Sequence, residues 1–185
     1  MTMHSLLLLP FSAEEGWPSL AERRPDYWYV FLSLVVPLAV LAAVMVYFGG
    51  STHPEMLPHT AGGRDWVAVA YVFLIMEFLS VGIMGLIIKN MAEAYEFRID
   101  YPGAYLLASI FPVPMWLSSL GLLASNLIVT GIIALAGLAL SCGLVYHGLE
   151  GLSRSREGAS TTVMTLVILV IGFGLWLSML TVAFG

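Results

Sequence analysis

The sequence predicts an all-α, polytopic integral membrane protein: a bundle of five transmembrane helices joined by short loops. Three observations carry that prediction. Of 185 residues, 59% are hydrophobic and 10% charged, with a mean hydropathy of +0.92, which is too little polar surface for a water-soluble globule. Five apolar runs reach the roughly 20 residues that a helix rising about 1.5 Å per residue needs to cross a hydrocarbon layer about 30 Å thick. The charged residues fall between these runs with one exception, Glu77 in the middle of the second.

Residues 1–27 form an N-terminal segment and residues 28–185 the membrane domain. The segment has an apolar run of only Leu6 to Leu9, no basic residue before it and no small-residue cleavage site after it, so it is not expected to be a removable signal. Ser12 and Glu15 have capping-box spacing, and Trp17 with Leu20 gives a short helix an apolar face. An interfacial segment on the membrane surface is the expectation.

The first span covers about 28–48, opened by the aromatic belt Tyr27, Trp28 and Tyr29. Pro37 in its interior removes a donor, so the Ser33 carbonyl needs another partner, and a kink is expected. A loop rich in Gly, Pro and polar residues follows, to Asp65. It holds His53 and His59 with Glu55 between them, a poor metal site in the absence of a nearby cysteine.

The second span is 66–88, WVAVAYVFLIMEFLSVGIMGLII, closed by Asp65 and Lys89. An ionised carboxylate is costly in hydrocarbon, so Glu77 is expected inside the bundle as a neutral, hydrogen-bonded acid. Ala70, Phe73, Ser80, Val81 and Met84 share its helix face, and Ser118, Ser141 or Ser178 could approach from other helices. Beyond Lys89, helical spacing of Met91, Ala94, Tyr95 and Arg98 predicts that the helix runs on toward Pro102.

The apolar stretch from Gly103 to Leu149 is twice too long for one crossing and must fold back, with Ser125-Asn126 as its best turn. The third span, 103–124, contains Pro112 and Pro114, which deprive the carbonyls of Ala108 and Ile110 of their helical donors. Broken helices of this kind build ligand and ion sites in transporters. The fourth span, 127–148, shows Gly137-xxx-Ser141 and Ala139-xxx-Gly143, a packing face for another helix of the bundle or for a second copy of the chain. The last span is 161–184, with Gly172, Gly174 and Ser178 as small positions.

Several function classes are excluded or disfavoured. With a net charge of −5 and seven scattered basic residues, nothing forms the stripe that binds nucleic acid. The lone Cys142 forbids an internal disulfide, and His147, the one histidine in any span, argues against a bis-histidine haem, so no cofactor is expected. Ser141 and His147 lie six apart on one helix and point to different sides, so no nucleophile–base pair is expected and the chain reads as a non-enzyme. Five spans put the termini on opposite sides. Six of the seven Lys and Arg residues fall on the side of the N-terminus, against Arg64 alone, which makes that side cytoplasmic.

In its lead-in with Pro10, Gly16-Trp17 and Leu20, its second-span exit GIMGLIIKNMAEAY, its proline-bearing third span and the Tyr146-xx-Leu149 end of the fourth, the chain resembles the Yip family of Ypt/Rab-interacting membrane proteins, and within it the bacterial branch. The resemblance implies a five-helix domain with a cytoplasmic N-terminus in a bacterial inner membrane. It does not carry over Rab binding, because the long hydrophilic N-terminal region of many eukaryotic members is lacking, and it prescribes no carboxylate at Glu77. The expected function is a non-enzymatic scaffold or partner-binding protein in contact with membrane lipid, with homo-oligomer formation open. The alternative is a small transporter or channel that uses Glu77 and the Pro112/Pro114 break. The candidate binding residues are Glu77, Ser80, Pro112, Pro114 and Ser141.

Overall fold

The computed structural model describes residues 16, 17, 20, 26–53, 64–97, 99–153 and 158–184, and among these the regular structure is entirely helical. Five helices result: α1 (Tyr27–Thr52), α2 (Trp66–Ala94), α3 (Tyr101–Ala124), α4 (Leu127–Ser153) and α5 (Gly158–Phe184), and each contains a stretch long and apolar enough to cross a membrane. Each is longer than its apolar run except α3, which gains only its capped first turn. Helical hydrogen bonds are satisfied locally, so a span continues into the polar zone until a residue stops it. Gly49 and Gly50, expected to open the loop, are still helical, and Gly50 packs so closely on the Trp66 ring that a Cβ there would overlap it. The sites of Ser12, Glu15, Glu55 and His59 lie outside the described residues.

Three helix starts are set by side chains accepting from the orphan N–H groups of the first turn. Asp65 accepts from Val67 N at 3.0 Å and Ala68 N at 3.1 Å, Asp100 from Gly103 N at 3.1 Å, and Asn126 from Ile128 N at 3.0 Å and Val129 N at 3.2 Å. The α3–α4 turn falls at Ser125-Asn126 as the sequence indicates, with Ser125 at φ 47° and its hydroxyl 2.8 Å from His53 Nε2.

Helix α2 ends at Ala94, short of Pro102. Phe97 N donates to Ala92 O at 2.8 Å and Glu96 N to Glu93 O at 3.3 Å, with Glu96 at φ 59°. This is the Schellman closure, here with glutamate where glycine is usual, and the buried Phe97 supplies its apolar contact. In α1 the turn Phe31–Val35 widens to a π-helix in which Val36 N–H bonds Phe31 O, one turn ahead of Pro37. The extra residue absorbs the proline's missing donor. The Ser33 hydroxyl donates to Tyr29 O instead of serving its own carbonyl.

Helix α2 touches α1, α3 and α5, while α3 touches α1, α2 and α4, so these two form the middle of the bundle. Trp17, ahead of the first span, is fully buried. It sits against Gly148, where a Cβ would come within 2.8 Å of its ring and would also overlap Leu107. Trp17 therefore plugs the end of the bundle between the first half of α3 and the end of α4.

Candidate functional site

The polar residues that stand out in the sequence converge near mid-span. A cavity of about 240 Å³ is lined by all five helices and includes Glu77 and Ser80 of α2, Pro112 and Ser118 of α3, and Ser141 of α4. Ala42 and Val46 close it from α1, Gly172 and Trp176 from α5. Glu77 is 6% exposed. It is the single ionisable side chain among the described lining residues.

The cavity exists because α3 does not run straight through. Its helix stops at Ile110, makes a turn over Phe111 and Pro112, restarts at Val113 and tightens to a 3₁₀ stretch over Ser119–Ala124. Phe111, Pro112, Met115 and Trp116 all line the cavity around that break. Pro114 does not line it. Its carbonyl instead lies against Gly137, where a Cβ would approach to 2.8 Å, so the Gly137 notch of α4 is occupied within the monomer. Ser178 also stays away: it is exposed and donates to Leu175 O at 2.6 Å.

Most hydroxyls at the cavity have already given away their proton. Ser80 Oγ donates to Glu77 O at 2.9 Å, Ser118 Oγ to Met115 O at 2.7 Å, Ser119 Oγ to Trp116 O at 2.6 Å and Thr130 Oγ1 to Gly121 O at 2.8 Å. Each keeps only lone pairs to offer. Among the described residues four buried side-chain atoms lack a hydrogen-bond partner, and two of them, Ser141 Oγ and Trp116 Nε1, belong to residues that line the cavity, while Thr165 Oγ1 and His147 Nδ1 lie elsewhere. The Trp116 indole and the Glu77 carboxyl border the same space, and the indole N–H makes no hydrogen bond there. Buried polar groups left without partners are rare in native interiors and mark places where something else completes the bonding.

Trp116 is the site residue that sequence reasoning misses. Its signal is position: a tryptophan at mid-span, just after a double proline, is far from the interface where indoles usually sit. Phe73, Phe111, Phe173 and Trp176 complete an aromatic wall of the same kind. His147 takes no part, being near the end of α4 with Nδ1 3.8 Å from Glu150.

Five helices long and apolar enough to cross a membrane, packed around a mostly apolar cavity that holds one buried carboxyl, define a multi-pass α-helical membrane protein. The chain belongs to the Yip family: the family model of the Yip1 domain matches residues 6–179. No curated protein and no solved structure matches it significantly.

Proposed function

We propose that the protein acts without catalysis, by holding a small molecule within the bilayer in the cavity around Glu77, as a binder or transporter that uses the Pro112 break. The supporting observation is that the buried, unsatisfied Ser141 Oγ and Trp116 Nε1 border the same space as a buried carboxyl. In hydrocarbon such groups are costly, and a bundle that only packs has no reason to gather them. The expected test is chemical access. With Cys142→Ala as background, Ser141→Cys should react with methyl methanethiosulfonate in the folded protein, and Ala134→Leu, on the cavity wall, should slow that reaction at least about tenfold. An unreactive Ser141→Cys in folded protein would remove this reading.

A scaffold that pairs through α4 is the second reading. It is supported by Ala139, which stays exposed while the Gly137 notch is used internally. In both readings the N-terminus, the α2–α3 connection and the α4–α5 connection lie on the cytoplasmic side of a bacterial inner membrane, by the placement of the basic residues. Single cysteines at Ser19, His53, Glu93 and Ser155 in the Cys142→Ala background test this. Only His53→Cys should label with an impermeant thiol reagent from outside, and outside labelling of Glu93→Cys or Ser155→Cys would invert the topology.

A further inference from the structure

The bonding pattern of the cavity selects a class of ligand, given that the cavity is a ligand site. We infer that it binds a small lipophilic amine in its ammonium form, with the ammonium group on Glu77 and the hydrocarbon part in the aromatic wall.

Hydrogen-bond polarity is the first argument. The hydroxyls of Ser80, Ser118, Ser119 and Thr130 have spent their protons on backbone carbonyls and present acceptors only. Ionised beside a bound ammonium, the Glu77 carboxyl adds two more acceptor oxygens, and Ser141 Oγ, unpartnered, accepts as readily as it donates. Apart from the Trp116 N–H, the few polar groups of this mostly apolar lining are acceptors, and they are matched by a ligand whose polar end is dominated by donors. An ammonium group offers three N–H donors and no acceptor.

Charge and shape agree with this. Glu77 has no cationic neighbour among the described lining residues, so a cationic ligand makes the occupied site neutral overall, whereas a carboxylate ligand would double its charge. Drawing the carboxylate toward an ammonium also leaves an oxygen for the Trp116 N–H. The rings of Phe73, Phe111, Phe173 and Trp176 along the lining accept alkyl groups, and an aromatic face turned to the ammonium would attract it further. A bare metal ion would leave most of that wall uncovered. At about 240 Å³, the space equals roughly eight molecules of liquid water at ~30 Å³ each, enough for a ligand of about that many non-hydrogen atoms.

The test uses the full chain in lipid nanodiscs, titrated calorimetrically with n-hexylamine, n-hexanol and n-hexanoate near neutral pH, with protein-free nanodiscs as baseline. The amine should bind saturably, at least about tenfold more tightly than either analogue, and Glu77→Gln should abolish that preference. Equal amine binding by Glu77→Gln, or tighter binding of hexanoate, overturns the ammonium assignment. Saturable binding of hexanol or hexanoate that Ala134→Leu removes would keep the ligand site while discarding the amine. Binding of none of the three would discard both. If Glu77→Gln does not elute as folded protein on gel filtration, the ranking of the three ligands on the unsubstituted chain and its loss in Ala134→Leu decide the matter.

Discussion

Helix α3 has two unlike halves. From Ala104 to Ser109 every residue is buried, none more than 8% exposed, so the helix is surrounded on all sides. Past Pro112 only Trp116, Ser118 and Gly121 remain buried, while Leu117, Leu120 and Leu123 are 41–51% exposed, with lipid on one side and the cavity on the other. The first half is packed by Trp17, Ile88, Val145 and Leu149, all fully buried and apolar. The second half borders Glu77, Ser141 and unspent hydroxyl lone pairs. One half of α3 is tightly packed and the other borders the cavity and its polar groups, with the Phe111-Pro112 break between them.

Matched substitutions should separate the two halves. The largest contrast is between two tryptophans. Trp17→Ala removes a fully enclosed indole and should cost about 3–5 kcal/mol, whereas Trp176→Ala, whose ring already borders empty space, should cost clearly less. Thermal midpoints in detergent or nanodiscs measure both, and equal losses would erase the distinction. The next contrast uses glycines. Gly148→Ala pushes a methyl into Leu107 and Trp17 and should destabilise by about 1–3 kcal/mol. Gly172→Ala meets its nearest atoms at 3.5 Å and should be neutral or stabilising by up to about 1 kcal/mol, through helix propensity.

Glu77→Leu is a sharper probe of purpose. The hydroxyls of Ser80, Ser118, Ser119 and Thr130 donate to backbone carbonyls and not to the carboxyl, so the substitution should leave stability within about 1 kcal/mol of the parent or raise it. A loss beyond about 2 kcal/mol would make Glu77 a structural acid. The smallest effect is expected at the end of α2, where Glu96→Gly relieves a left-handed residue at φ 59° and should add up to about 1 kcal/mol.

Much of this was readable beforehand, for physical reasons. Asp65 and Asn126 mark helix starts because capping is local chemistry, and Ser125-Asn126 marks the turn because two crossings cannot share one helix. Glu77, Ser80, Pro112 and Ser141 could be singled out because a polar group or a proline in hydrocarbon needs a reason, and the structure places all four at one cavity. Pro114 misled: a proline shows that a helix is perturbed but not which way its backbone then faces. Of the hydroxyls that could approach Glu77, those of Ser118 and Ser178 donate to backbone carbonyls of their own helices instead, and only Ser141 Oγ is left unpartnered. The π-turn of Phe31–Val35 has no signature beyond Pro37, and the burial of Trp17 depends on residues about 90 to 130 positions away, which no local pattern encodes.

The docking of Trp17 also fixes an order of events in synthesis. Trp17 is made before any span, yet its seat is built from Leu107 near the start of the third span and Gly148 near the end of the fourth. A ribosome must release about four-fifths of the chain before that seat exists. The first recognisable anchor in the polypeptide is thus among the last contacts to close, and its closure reports that the α3–α4 hairpin has been inserted.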